Sequence, residues 1–176
     1  MKKMLGEERR QELLTLLKNS NGPITGTDLA KHANVSRQVI VNDMNLLKAK
    51  NEPIMATSQG YLYLKMDDNV ETIERKIVCL HSAEQAEDEM LTIVDCGVTI
   101  KNVIVEHPVY GEITASMMLS NRMDVNNFLK RVNETNANYL SNLTNGTHLH
   151  VISAASNEQL DRCEQMLREK GYLIEG

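Results

Sequence analysis

Between residues 8 and 18 the apolar positions Leu13, Leu14, Leu16 and Leu17 fall on one helical stripe among charged residues. That spacing predicts an amphipathic helix. Asn19-Ser20-Asn21-Gly22-Pro23 ends it. A short second helix opens at Thr25 or Gly26, with Leu29, Ala30 and Ala33 inward. Asn34-Val35 makes a tight connection, and Ser36 caps a third helix that runs to about Lys50 through Ile40, Met44 and Leu47. A serine suits that cap because its hydroxyl accepts an otherwise orphan backbone N–H. Residues 54–57 and 61–64 flank Ser58-Gln59-Gly60 and read as a hairpin. Two helices across a tight turn, followed by a hairpin, make a winged helix-turn-helix.

The pattern changes after residue 66. Strands are predicted over 75–81, 100–105, 112–119 and 147–154, and helices over 83–94, 124–143 and 157–170. Asn145-Gly146 breaks the long middle helix. The resulting order, βαββαβα, is α+β, with helices expected on one face of a largely antiparallel sheet. The polar run Met66-Asp67-Asp68-Asn69 divides the chain into an expected winged helix over 1–66 and a second domain over 67–176.

Charge supports that division. The first 66 residues carry ten Lys/Arg against six Asp/Glu, a balance of +4, and the remainder nine against eighteen, −9. A basic front suits a polyanion, while an acidic back repels one and concentrates cations. Aromatics are only 3% of the chain, with no Trp, which disfavours single-strand binding by base stacking. Cys79, Cys96 and Cys163 are odd in number and form no CxxC pair, against a disulfide framework or a cysteine zinc knuckle. Cys79 and Cys96 sit beside apolar residues and read as core thiols. Neither a spanning apolar stretch nor an apolar signal core occurs, so the expectation is a cytoplasmic protein without a membrane partner.

The third helix carries the chemistry of the front half. Ser36, Arg37, Gln38, Val41 and Asn42 lie at its start and on its outer face. Arg and Gln/Asn have the donor and acceptor geometry to read guanine and adenine edges in the major groove. Lys31, Lys48 and Lys50 are placed to meet phosphates. The plain alternative is a three-helix bundle with a solvated polar face. The turn Ala33-Asn34-Val35-Ser36-Arg37 also looks like that of biotin-repressor-type helix-turn-helix domains.

Four of the five histidines lie in the back half. His148-Leu149-His150 is an i, i+2 pair in a strand, so both imidazoles point to one face. His81 ends another strand, and Glu89 follows about two helical turns into the next helix. Three imidazoles and a carboxylate suit a divalent transition ion such as zinc or nickel. A polar strand face is the competing reading. His107 lies in Glu106-His107-Pro108-Val109-Tyr110-Gly111, where Pro108 blocks the ladder. His107 and Tyr110 are candidates for a ligand pocket, or for capping a turn. His32 reads as a surface residue.

Val35-Ser36-Arg37-Gln38-Val39-Ile40-Val41-Asn42-Asp43 resembles the recognition helix of the niacin-responsive transcriptional repressors. His81, the segment from His107 to Glu112, and His148-Leu149-His150 resemble their regulatory module, the three-histidine (3H) domain. The resemblance spans nearly the whole chain. It implies a winged helix joined to a phosphocarrier-like βαββαβα domain, a homodimer on double-stranded operator DNA, and nicotinate as co-repressor of genes for niacin uptake and NAD synthesis. It also implies a metal held by three histidines and a glutamate, which map onto His81, Glu89, His148 and His150. Asn42 departs from a longer polar residue in relatives, which bears on the operator sequence. Two rival classes stand beside this one. A metal-sensing repressor would use the ion itself as effector. A metallohydrolase would need an open coordination position, which four protein ligands fill in a tetrahedral site, and the DNA-binding half argues against an enzyme.

Overall fold

A computed structural model describes residues 5–65 and 72–175. The chain forms two compact units, Met1–Asn69 and Val70–Gly176. The expected boundary run, 66–69, lies outside the described residues.

In the first unit α1 (Gly6–Asn19), α2 (Gly26–Ala33) and α3 (Arg37–Ala49) precede a hairpin of β1 (Ile54–Thr57) and β2 (Gly60–Tyr63). Leu13, Leu17, Leu29, Ile40 and Met44 are fully or almost fully buried and form its core. The turn between α2 and α3 depends on Asn34, whose left-handed φ of 52° ends α2. Asparagine tolerates that conformation better than most side chains. The Ser36 hydroxyl then accepts from the Val39 N–H and starts α3. A buried pair fixes α1 against α3: Arg9 Nε lies 2.6 Å and Nη2 3.2 Å from the Asp43 carboxylate. The wing is tied to the helices through Ile24 and Tyr61, which exchange backbone hydrogen bonds. Gly60 permits that approach, since a Cβ there would sit 2.5 Å from the Ile24 carbonyl oxygen.

The second unit runs β3 (Ile73–Leu80), α4 (Ala86–Asp95), β4 (Thr99–His107), β5 (Gly111–Leu119), α5 (Arg122–Thr135), β6 (Thr147–Ala154) and α6 (Asn157–Glu169). The order is the expected βαββαβα. The sheet is fully antiparallel, in spatial order β3-β6-β4-β5. Its core joins Ile100, Leu119 and Ile152 of the sheet to Ile93 of α4, Val125 of α5, and Leu160 and Leu167 of α6. A 3₁₀ turn, Ala83–Gln85, leads into α4 behind a capping box in which Ser82 and Gln85 satisfy each other's backbone.

One element departs from expectation. The helix predicted over 124–143 is divided. α5 stops at Thr135, where Asn136 takes φ 49° and returns its N–H to the last turn. A non-helical segment follows, then a 3₁₀ turn, Leu140–Thr144. The apolar spacing through Phe128 and Val132 is helical, but the Asn136-Ala137-Asn138 step provides a left-handed stop before Leu140 and Leu143 can join the same helix. The freed segment becomes a wall of the cavity described next.

Candidate metal centre and nucleic-acid interface

Three elements converge on Glu89. The β3–β6 register sets Cys79 opposite His148 and Ile77 opposite His150, so the paired imidazoles of β6 face the helix layer beside the end of β3. His81 follows β3 directly. Its carbonyl is packed against Gly146 so closely that a Cβ at residue 146 would collide with it, and Gly146 itself takes φ 94°. Glycine there brings the start of β6 within reach of His81. Glu89 lies in the first turns of α4, where the helix N-terminus favours a carboxylate. Its side chain is 2% exposed.

The distances define one cluster. His81 Nε2 is 2.8 Å from Glu89 Oε2, His148 Nε2 is 3.3 Å from Oε1, and His150 Nε2 is 3.4 Å from Oε2. The opposite nitrogen of each ring is occupied. Nδ1 of His81 lies 2.8 Å from the Ser82 carbonyl, Nδ1 of His148 2.9 Å from that of Gly146, and Nδ1 of His150 2.8 Å from that of Asn102. A carbonyl only accepts, so each Nδ1 carries a proton and directs Nε2 to the cluster, where a ring in its neutral form presents a lone pair. Three lone pairs and a carboxylate facing one point repel each other unless a cation stands among them. Among the described residues His81 Nε2 has no hydrogen-bond partner despite its short contact with Glu89. Without an ion, protons supply the charge. Burial opposes charging of His81 and His150, and Glu89 more than reverses that, so both imidazoles sit above their ordinary value. Burial likewise opposes ionisation of Glu89, yet the three histidines hold it well below the usual carboxylate range.

Asn102 positions His150 through an irregularity in the sheet. The β4–β6 register shifts between Ile100 and Asn102. There the Asn102 side-chain oxygen takes the Val151 N–H at 3.1 Å, in place of a ladder carbonyl. Its own carbonyl is thereby available to His150 Nδ1. Bulges of this kind re-aim side chains beside sites. Cys79 is a neighbour that sequence reasoning left in the core: one ligand-capable atom each from Cys79, Glu89 and His148 lie within 4.8 Å of one another. Burial, then the Glu89 charge, push its thiol well above the ordinary range and keep it protonated. Its i, i+2 relation to His81 was the available signal.

The cluster forms the polar wall of a cavity of about 190 Å³. The remaining wall is mostly apolar, with Val103 of β4, Met117 of β5, Phe128 and Val132 of α5, and Tyr139 and Leu140 of the segment after α5, and it also includes Asn138 and Ser141. The expected pocket residues His107 and Tyr110 do not line it. They sit at the β4–β5 turn, where His107 Nδ1 accepts the backbone N–H of Val109 and of Tyr110, and Tyr110 is 78% exposed. The turn satisfies His107 Nδ1 locally.

In the first unit Ser36, Arg37, Gln38 and Asn42 are exposed and Val41 half-exposed, on one face of α3. Ser36 is engaged as the cap. Gln38 donates to Asn42 across one turn at 3.3 Å. The Arg37 side chain lies over Gly26 at the start of α2, close to the Tyr61 ring. Asn45, exposed three residues beyond Asn42, extends this face and went unremarked in the sequence. Lys48 lies over the Tyr61 ring, 5.8 Å from its centroid, and Lys50 pairs with Glu7 at 3.3 Å. His32 is an exposed partner of Glu12 at 2.7 Å.

Comparison with known proteins agrees with both halves. Residues 9–62 match the model of a helix-turn-helix (HTH) domain, and residues 74–176 that of the 3H domain. The chain is 52% identical to the transcription repressor NadR of Bacillus subtilis over 98% of its own length and 96% of the relative's. It is 35% identical to the probable transcription repressor NiaR of Thermotoga maritima, over 98% and 97%. No described helix is long and apolar enough to cross a membrane. The chain belongs to the 3H-domain family of helix-turn-helix transcription repressors, a family of regulators rather than enzymes.

Proposed function

We propose that the protein is a metal-containing repressor whose operator affinity is raised by nicotinate. It would act in the cytoplasm as a homodimer on genes of niacin uptake and NAD synthesis. The observation that carries this reading is the convergence of three imidazole lone pairs and a carboxylate on one wall of a small apolar cavity. A divalent transition ion suits that donor set, held by His81, Glu89, His148 and His150. Bound there, it supplies a Lewis-acidic point for an anionic or lone-pair ligand. The cavity's ~190 Å³ falls below the roughly 300–1,000 Å³ of pockets for drug-sized molecules, which favours a single-ring effector over a dinucleotide.

The deciding experiment is operator binding with and without nicotinate, on metal-loaded and metal-stripped protein. The expected gain appears only with both. A gain from metal alone makes the ion the effector and the protein a metal sensor. No gain under any condition overturns the ligand-responsive reading.

Two further outcomes are expected. Arg37→Ala should cost about 1–3 kcal/mol of operator affinity if it reads a base, with the footprint spanning two half-sites, as a symmetric dimer requires. Unchanged affinity in an Arg37→Ala/Gln38→Ala double variant removes α3 from base reading. Asn102→Ala keeps the carbonyl that His150 Nδ1 meets but removes the side-chain oxygen that holds the Val151 N–H at the register shift, so it should misorient His150 and weaken metal affinity, by up to the roughly 10–100-fold that follows loss of outer-shell support. A chelator competition titration measures it.

A further inference from the structure

The four residues of the cluster are not equally supported by the sheet. His148 and His150 belong to β6, which is paired on both sides. His81 follows the end of β3, an edge strand. Its Nδ1 is held only by the carbonyl of its own neighbour, Ser82, a local contact that does not fix the ring against α4. Yet His81 makes the shortest contact with Glu89, 2.8 Å against 3.3 and 3.4 Å for the other two rings.

Tyr172 stands at both ends of that contact. Its ring is buried and meets the His81 ring edge to face, with centroids 5.4 Å apart and planes at 62°. Its hydroxyl donates to the Asp88 carboxylate at 2.7 Å, and Asp88 immediately precedes Glu89 in α4. Lys170 Nζ reaches both oxygens of the same carboxylate at 2.8 Å. The backbone delivers Tyr172 to this place. Gly171, at φ 74°, turns the chain out of α6, and the Gly171 and Tyr172 N–H groups return to the carbonyls of Arg168 and Leu167, each at 2.9 Å. The tail then runs antiparallel along β3. Leu80 N–H donates to the Tyr172 carbonyl at 2.8 Å, and Ile174 N–H to the Val78 carbonyl at 3.0 Å. The tail thus covers the strand edge that leads into His81.

We propose that Tyr172 is a positioning residue of the metal centre, fixing the His81 ring against Glu89, and that ion binding and docking of the 172–174 tail are therefore coupled. The proposal rests on the metal reading above. Partners that orient a metal ligand commonly matter almost as much as the ligand itself. Coupling in binding is reciprocal, so a tail that steadies the ion must itself be steadied by it.

Cobalt(II) titration of the full-length protein tests this, because the visible absorption of bound cobalt(II) reports its coordination geometry. Tyr172→Leu removes the ring and the hydroxyl. It should weaken cobalt(II) binding by roughly 10–100-fold and alter the spectrum of the bound ion. Tyr172→Phe keeps the ring against His81, so it should retain the wild-type spectrum and lose less than about tenfold in affinity. Circular dichroism matching wild type establishes that the variants are folded. Hydrogen exchange on wild type reads the coupling without any variant: cobalt(II) should slow exchange of the Leu80 and Ile174 amides, which tie the tail to β3. Wild-type affinity and spectrum in Tyr172→Leu overturn the proposal and leave the metal reading standing. A lower affinity with an unaltered spectrum overturns it too, because Tyr172 would then support the fold and not the ligand geometry. Unchanged exchange at the two amides overturns the coupling. If wild type takes up no cobalt(II), the metal reading fails and this inference with it.

Discussion

Wild type should purify with a divalent ion, and protein carrying His148→Ala and His150→Ala together should purify without it. Two of the three nitrogens facing Glu89 disappear, and one imidazole with one carboxylate cannot enclose an ion. Elemental analysis after dialysis measures the loss; full metal content in the double variant would place the ligands elsewhere. The metal should also change the pH dependence of stability. In ion-free protein the folded-state values of His81 and His150 lie above the unfolded 6.5. Their charged forms therefore stabilise the fold fully below 6.5, and that contribution is lost as pH rises through the raised values. Glu89 has the opposite sign. Its contribution is present above the unfolded carboxylate value and is lost only as pH falls through its depressed one. The ion-free domain is thus best stabilised by the cluster in weak acid. A metal needs the neutral rings, so its affinity rises over the pH range in which the ion-free cluster weakens. The melting-temperature gain on adding zinc should accordingly grow from the acid to the alkaline side of the histidine range. A gain independent of pH would separate the ion from these histidines.

The parts of this molecule that were legible in the sequence depend on local pattern. The cap at Ser36, the left-handed turn at Asn34 and the i, i+2 pair His148/His150 each involve residues within a few positions of one another. Joining His81 and Glu89 to that pair took one further step, because both lie at predictable ends of neighbouring elements. Features that depend on register were hidden. Asn102 positions His150 only because the β4–β6 register shifts there, and nothing near residue 102 announces a shift. Cys79 reaches the cluster only once β3 is set opposite β6. The His107–Tyr110 segment falls outside the cavity for the opposite reason. Its polar and aromatic residues suit a pocket, but a two-strand turn satisfies the imidazole with its own backbone. The division of the long helix at Asn136 was equally opaque, and it mattered more, since the released segment brings Tyr139 and Leu140 to the cavity.

Glu89→Gln and His150→Ala should each abolish the nicotinate-dependent gain in operator affinity while leaving non-specific DNA binding nearly unchanged. The reason is the separation of tasks between the two units. Ser36, Arg37, Gln38, Val41 and Asn42 all belong to the first, which is basic; the cluster and cavity belong wholly to the second, which is acidic. Non-specific affinity comes from Lys/Arg facing phosphates, and neither substitution touches such a residue. Specific affinity is a different quantity, because an effector acts only by binding one arrangement of the protein more tightly than another. A ligand that met both arrangements equally would shift nothing, however tightly it bound. Coupling of this kind typically changes affinity by about 5–150-fold, and that entire factor should vanish with either substitution. The pairing of a neutral amide with a carboxylate's shape makes Glu89→Gln the stricter test. It keeps the volume at residue 89 and removes the charge that the three imidazoles face. Titrating operator and random-sequence DNA in parallel, with and without nicotinate, separates the two affinities. If nicotinate still strengthens operator binding in both variants, the effector does not depend on the metal wall. The exposed His107–Tyr110 turn would then be the place to look for its pocket.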